Sequence, residues 1–174
     1  MDRRLQPLLR RIKVRTRIGT FLLTFSPKGL YAVRLPASSS LRPCGRLGVA
    51  RHKGSNLRDC HTPAGPAKTG GLNILSHKLR YAKLDLTDCT PFQLKVYAAL
   101  REVPAGKTVT YGELAKRAGY PGAARAVGTA MKKNRLPIVI PCHRVVPASG
   151  GLGEYSAGVK WKRWLLEHEG CCVA

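Results

Sequence analysis

The sequence is poor in acidic residues, in aromatic residues and in long apolar runs. Only 9 of its 174 residues are Asp or Glu, against 31 Lys or Arg, and the formal net charge at pH 7 is +22. No apolar run approaches the roughly 20 residues of a membrane-spanning helix, which excludes an integral membrane protein. The basic N-terminus has no apolar segment before Phe21, so we expect no secretory signal and a location in the nucleus or the cytoplasm (nucleoid).

The excess of positive charge indicates a polyanionic partner, and nucleic acid is favoured over an anionic membrane surface. Residues 1–72 contain 15 basic and two acidic residues, residues 91–140 nine and two, and residues 141–174 four and three. The last segment is close to neutral, so any chemistry that it carries does not depend on simple charge attraction.

A hydrophobic share of 44% excludes general disorder. The six cysteines are irregularly spaced, which predicts free thiols in a reducing compartment: Cys44, Cys60, Cys89, Cys142, Cys171 and Cys172.

The first part of the chain has the pattern of a small antiparallel sheet. Runs of β-favouring residues occupy 12–17, 20–25 and 30–35, with a turn at Pro27-Lys28-Gly29 between the last two. Residues 36–71 show no helical or strand period and indicate a long basic loop. Residues 72–81 could form a short helix. We predict an N-terminal β-rich domain over 1–83, complete or incomplete, and a second domain over 84–174.

The second domain has the pattern of a mainly helical, helix-turn-helix unit, which makes the fold class α+β. The first helix is predicted over Pro91–Val103. Thr110 and Glu113 have the spacing of a capping box, so a second helix should begin there and run to about Ala118. After a turn at 119–121 a third helix is predicted over Gly122–Lys133.

Small residues dominate the first half of that third helix, and Arg125 is its one long side chain. Such a surface permits close approach either to another helix or to DNA, and the spacing favours neither. Readers of the major groove usually carry several long polar side chains on their recognition helix. A smooth helix with one arginine fits the minor groove better, where duplex shape is read and a base can be displaced.

The chemistry-bearing residues lie near the C-terminus. Cys142 follows an apolar run and Pro141, and precedes His143, a proton acceptor of the kind that thiolate chemistry needs. A buried structural cysteine is the alternative. Trp161, Trp164, Leu165 and His168 form the apolar face of a final helix, with Glu169 at its edge in the last turn. Glu169 is either a solvated surface acid or the partner that orients His143 in a Cys/His/acid relay.

These residues resemble the O6-alkylguanine-DNA alkyltransferase family (methylated-DNA–protein-cysteine methyltransferases). The segment Pro141-Cys142-His143-Arg144-Val145-Val146 resembles the active-site signature of this family, and the similarity covers roughly residues 84–170. It also includes Thr90–Gln93, Thr110–Glu113, Ala123–Gly128 and Leu165–Glu169 in the family's order.

The resemblance implies irreversible, single-turnover transfer of an alkyl group from guanine O6 in DNA to Cys142, with thymine O4 as a further candidate substrate. It implies a monomer that needs no cofactor and no metal and that binds double-stranded DNA. Cys142 would be activated through water by His143 and Glu169, with Asn134 tying the recognition helix to the active-site segment. Tyr111, Val145, Tyr155 and Ser156 would bind the base. Arg125 would replace the flipped nucleotide in the stack, and the other implied DNA contacts are Thr110, Ala124, Ala126 and Gly128.

The sequence departs from the family at several positions. Arg135 replaces a usual proline after Asn134, and Glu154 places an acid beside Tyr155, near the expected pocket mouth. Ser26 and Tyr31 stand where some members bind zinc, and the spacing of Cys44, His52, Cys60 and His61 is not that of a zinc site. Two alternatives remain: a non-catalytic alkyltransferase-like lesion-binding protein, which would lack the cysteine, and a plain helix-turn-helix DNA binder.

Overall fold

The computed structural model describes residues 9–16, 18–41, 79 and 81–171. Its N-terminal part is an antiparallel three-stranded sheet in the order β1 (Arg10–Thr16), β2 (Gly19–Ser26) and β3 (Gly29–Arg34). Arg10 pairs with Phe25 and Leu23 pairs with Val33. The predicted meander is confirmed.

The central strand shows why these residues form a sheet with one covered face. Phe21 and Leu23 are buried at alternate positions, as the two-residue period of a strand requires. The β2–β3 connection ends at Gly29, whose φ is +142°, and a Cβ atom there would collide with the carbonyl of Lys83. Glycine at this position therefore permits the following segment to lie against the sheet, where Leu30 N donates to Lys83 O over 2.7 Å.

Helix α1 (Pro91–Arg101) begins with a complete capping box. The Thr90 side chain accepts from Gln93 N, and Gln93 Oε1 accepts from Thr90 N over 2.9 Å. The predicted extension to Val103 is wrong, because the helix ends at Arg101. Val103 N donates to Leu100 O in a tighter turn, and Pro104 disfavours a helical conformation in the residue before it.

The helix-turn-helix consists of α2 (Tyr111–Arg117) and α3 (Ala124–Lys132). Strand β4 (Val109–Thr110) precedes α2, and the predicted Thr110–Glu113 capping box is present. The predicted start of α3 at Gly122 is wrong. Gly122 has a φ of +84°, which lies outside the right-handed helical region, and the first helical residue is Ala124.

The last helix, α4 (Val159–His168), joins the sheet to the helical part through Trp161. Trp161 packs edge-on against Phe21 and its indole nitrogen donates to Pro36 O over 3.0 Å. Trp161 and Trp164 also pack against each other. Truncating a buried tryptophan of this kind to alanine typically costs about 3–5 kcal/mol, so α4 is a main support of the core.

Arg135 forms a second connection between the sheet and the helical part. Its guanidinium lies 4.0 Å from the centre of the Tyr31 ring and 2.7 Å from an oxygen of Asp88, while the Tyr31 hydroxyl donates to the same carboxylate. The backbone carbonyl of Arg135 accepts from Val33 N over 2.8 Å. Arg135 thus supplies a side-chain contact between the two parts.

Several predictions fall outside the described residues. They include most of the 36–71 loop and of the 72–81 helix, and the spaced set Cys44, His52, Cys60 and His61. Ser26 and Tyr31, the two positions that the resemblance relates to zinc binding, have protein partners: Ser26 donates to Asp85 and Tyr31 donates to Asp88. In the part of the chain that the structure describes, no helix is long and apolar enough to cross a membrane.

Candidate active site

Cys142 stands at the end of a buried segment that Asn134 holds in place. The Asn134 amide donates to Ile140 O over 3.0 Å and its side-chain oxygen accepts from Leu136 N over 2.9 Å. Ile138 lies between these anchors with a φ of +75°, an uncommon value for a β-branched residue. The two hydrogen bonds close the segment into a loop and so fix the position of the backbone just before Cys142.

The Cys142 thiol is buried and faces Tyr155. Its exposed fraction is 4%, and Sγ lies 3.8 Å from the Tyr155 hydroxyl. Burial raises the pKa of Cys142, although Asn134, Tyr155 and Lys162 act in the opposite direction. The thiol is therefore protonated at neutral pH, and its use as a nucleophile requires a base.

His143 follows Cys142 in a single 3-10 turn, Cys142–Arg144, and is 1% exposed. Its Nε2 lies 2.9 Å from Glu169 Oε1. Burial lowers the pKa of His143 and Glu169 opposes this, so the ring is neutral at pH 7. Since the carboxylate can only accept, Nε2 carries the proton and Nδ1 carries the lone pair. That Nδ1 is buried and makes no hydrogen bond to a described residue.

Glu169 is the C-cap residue of α4 and is not a solvated acid, since its side chain is only 15% exposed. Arg144 holds it with two donors, Nε to Oε2 over 2.9 Å and an Nη atom to Oε1 over 2.7 Å. Burial opposes its ionisation, but the hydrogen bonds and charges of His143 and Arg144 outweigh burial and lower the pKa of Glu169 to about 2. The carboxylate is therefore ionised throughout the physiological range.

A cavity of about 650 Å³ opens beside the thiol. Its walls come from α2, α3 and the loop between β5 (Val145–Val146) and α4. The lining residues are Tyr111, Gly128, Met131, Lys132, Cys142, Pro147, Gly153, Glu154, Tyr155, Ser156, Gly158 and Val159. Of the predicted base-binding residues, Tyr111, Tyr155 and Ser156 thus share one cavity with Cys142.

Val145, the fourth predicted base-binding residue, is in contact with Lys162, a residue that the sequence interpretation missed. Its carbonyl accepts from Lys162 Nζ over 2.6 Å, and Lys162 is fully buried. Burial lowers the pKa of Lys162 to about 8, against an opposing effect of Cys142. The available signal was helical spacing, since Lys162 lies four and seven positions before Leu166 and Glu169 on a buried face of α4.

The predicted DNA-contacting residues lie away from the thiol. Arg125 and Ala126 are exposed and Ala124 and Gly128 half-buried on α3, and of these four only Gly128 lines the cavity. Thr110 is 6% exposed and its hydroxyl is engaged by Glu113 over 2.7 Å. The position of Thr110 is thus explained by the helix cap, and a contact from it to DNA stays a prediction.

Comparison with known proteins relates this arrangement to one family. The family model described as 6-O-methylguanine DNA methyltransferase, DNA binding domain, matches residues 91–171. The methylated-DNA–protein-cysteine methyltransferase of Salmonella typhimurium is 54% identical over 84 residues, which are 48% of this chain and 49% of that protein. The protein of the same name from Homo sapiens is 53% identical over 75 residues, 43% of this chain and 36% of that one. The matched region spans about half the length of the curated relatives, or less.

Solved structures extend the similarity to nearly the whole chain. Mycobacterium tuberculosis OGT in complex with DNA has a TM-score of 0.60 and 31% identity, covering 92% of this chain and 91% of that one. O6-methylguanine-DNA methyltransferase from the archaeon Pyrococcus kodakaraensis has a TM-score of 0.59 and 31% identity, covering 93% and 99%. With the family model on its helical part and this similarity across both parts, the chain belongs to the O6-alkylguanine-DNA alkyltransferase (methylated-DNA–protein-cysteine methyltransferase) family.

Proposed function

We propose that this protein repairs DNA by moving one alkyl group from guanine O6 to Cys142, irreversibly and once per molecule, with thymine O4 as a second acceptable position. The observation that carries the proposal is a buried thiol that opens on a cavity and is followed in the chain by a neutral His143, whose Nε2 lies 2.9 Å from the ionised Glu169. A soft sulfur nucleophile suits an alkyl carbon, and the thioether formed is not easily reversed. The chemistry therefore needs no cofactor.

The protonation states of the site residues support this reaction. The protonated Cys142 thiol gives its proton through a water molecule to Nδ1 of His143, and Glu169 stabilises the imidazolium formed. The sulfur–carbon bond then forms as the carbon–O6 bond breaks, and the guanine leaves with the bonding electrons. Burial raises the pKa of Tyr111, so its hydroxyl stays protonated until it donates to the departing base.

The cavity walls suit an extrahelical base. We assign Tyr155 as a wall and the Ser156 amide as a partner for the base edge. The Val145 carbonyl, which also accepts from Lys162 and lies outside the cavity lining, is the other proposed partner. Asn134 acts through the backbone as a positioning residue, because it fixes the segment that ends at Cys142. A base inside a duplex cannot reach a buried thiol, so the nucleotide must rotate out of the stack.

The exposed face of α3 suits DNA docking through the minor groove. Ala124, Ala126 and Gly128 keep this face smooth, and Arg125 projects from it to occupy the place of the flipped nucleotide. Thr110, at the start of α2, is assigned to the same interface. The solved structure of Mycobacterium tuberculosis OGT in complex with DNA supports DNA as the partner, and we propose that the DNA is double-stranded. We propose a monomer that acts where DNA is, in the nucleus or cytoplasm (nucleoid).

The test is intact-protein mass after incubation with a duplex that carries one O6-methylguanine. The wild type should gain the mass of one methyl group, located on the peptide that contains Cys142, and Cys142→Ser should gain none. Cys89→Ser, which removes another free and half-buried thiol, is the matched control and should react like the wild type. A wild-type protein that binds the duplex without gaining mass would refute alkyl transfer in favour of a lesion-binding role.

A further inference from the structure

One ion pair joins the two walls of the cavity at its rim. Lys132, the last residue of α3, and Glu154, in the loop between β5 and α4, both line the cavity, and Nζ lies 2.8 Å from Oε2. Their side chains are 71% and 81% exposed. The pair therefore stands at the mouth of the cavity in solvent, while Cys142 lies at its buried end.

The positions of the two charges are fixed by the backbone on both sides. Gly153 precedes Glu154 with a φ of +65°, and a Cβ there would come within 2.8 Å of Pro147, so the loop passes close to its own base. Lys132 stands at the C-terminal end of a helix, where a cation is favoured by the helix dipole. Each charge is thus presented to the mouth by a constrained backbone segment.

Stability does not account for this pair, because exposed ion pairs contribute little to the free energy of folding. The two charges do act on the cavity. The hydrogen bond between them raises the pKa of Lys132 and lowers that of Glu154, so both are ionised at neutral pH. Burial is the main reason that the pKa of the Tyr111 hydroxyl inside the cavity is raised, and the two rim charges add smaller opposed effects: Glu154 raises this pKa and Lys132 lowers it.

We propose that Lys132 and Glu154 form a charge-balanced pair that makes the site indifferent to the charge of the alkyl group it accepts. This assignment rests on the proposed alkyl transfer. A cavity of about 650 Å³ has the size of a small-molecule site, so it holds a base with a substituent longer than methyl. A charged group at the far end of that substituent lies near the mouth and experiences the sum of the two rim charges.

Each charge alone makes the site selective. Without Glu154 the uncompensated Lys132 favours substituents that end in a carboxylate, and without Lys132 the uncompensated Glu154 favours those that end in an ammonium group. One unit charge acting across a solvated mouth changes the relative rate by about three- to tenfold. Removing both charges restores the balance.

The experiment uses three duplexes of one sequence, each with one modified guanine: O6-benzyl, O6-(4-carboxybenzyl) or O6-(4-aminomethylbenzyl). Alkylation rates are measured by intact mass for the wild type, Glu154→Gln, Lys132→Gln and the double variant. The readout is the ratio of the carboxylate rate to the ammonium rate, in which any equal effect of a variant on binding of the three duplexes cancels. Relative to the wild type, we expect a rise of about three- to tenfold for Glu154→Gln, an equal fall for Lys132→Gln and no change for the double variant.

A parallel reaction with the O6-methylguanine duplex separates the two proposals. No methyl transfer by the wild type would refute the proposed function, and this assignment with it. Methyl transfer with single-variant ratios that stay unchanged, or that move in the same direction, would overturn the charge-balanced pair alone. Methyl transfer without any reaction of the benzyl-type duplexes would do so too, since the site would then exclude the groups on which the pair acts.

Discussion

Replacing Glu169 with Gln keeps the shape of this side chain and removes the charge that His143 and Arg144 share. The pKa of Glu169 is about 2 in the folded protein, against an ordinary value of 4.5. A tenfold difference in acidity corresponds to about 1.4 kcal/mol, so the ionised carboxylate contributes roughly 3 kcal/mol to the free energy of unfolding. The pairing with Arg144, which is 14% exposed, is part of this contribution, because its hydrogen bonds and charge help to lower the pKa of Glu169.

The sign of the pH dependence follows from the direction of the pKa shift. Because the folded pKa lies below the unfolded one, the contribution of Glu169 is fully present above about pH 5 and is lost as the pH falls towards 2. By pH 3 roughly 2 kcal/mol of it should be gone. The difference in stability between wild type and Glu169→Gln should therefore narrow by that amount between pH 7 and pH 3.

Urea unfolding of both proteins at pH 7, 5 and 3 measures this difference. Glu167→Gln is the matched control, since Glu167 is exposed on the same helix, and it should follow the wild type at each pH. A difference between wild type and Glu169→Gln that is as large at pH 3 as at pH 7 would show that the buried carboxylate does not titrate as described. The same variant should transfer alkyl groups more slowly at pH 7, because a neutral amide stabilises the imidazolium of His143 less well.

Three further variants test other parts of the molecule. Arg125→Ala should slow repair of an O6-methylguanine duplex far more than reaction with free O6-benzylguanine, and equal losses would contradict a role in base flipping. The buried Lys162, with a pKa of about 8, loses its proton at a lower pH in the folded than in the unfolded protein, so the wild type should gain about 2 kcal/mol of stability as the pH rises from 8 to 10. Lys162→Met should abolish this gain. The same pH dependence of the free energy of unfolding in both proteins, measured in urea, would refute it. Gly153→Ala should lower the melting temperature more than Gly122→Ala, since both have positive φ but only the first would collide with a neighbour; equal shifts would contradict this.

The sequence predicted the elements whose signals are local. The capping box of Thr110 and Glu113 fixed the start of α2, and the three β-favouring runs predicted the sheet. The start of α3 was misplaced because small residues continue the helical pattern through Gly122, whose left-handed conformation is not visible in composition.

The candidate site depended on both local pattern and long-range contacts. Cys142 and His143 stand together in the sequence, and Glu169 was a candidate partner from its place on α4. The bidentate contact of Arg144 with Glu169 and the contact of Lys162 with the Val145 carbonyl join segments far apart in sequence. Periodicity within one helix or strand shows which face is buried but not which distant residue that face contacts, so these contacts were not predicted.

Asn134 and Arg135 are consecutive, yet their side chains bind different parts of the molecule. Asn134 holds the backbone that leads to Cys142, whereas Arg135 is bound through its carbonyl and its guanidinium to the N-terminal sheet and to Asp88. One peptide unit thus connects a contact with the sheet to the segment that leads to the reactive thiol, in addition to the contacts that Trp161 makes with the sheet. A substitution in the sheet that weakens the contacts of Arg135 would therefore act on the residue directly after Asn134, at the start of the segment that carries the nucleophile.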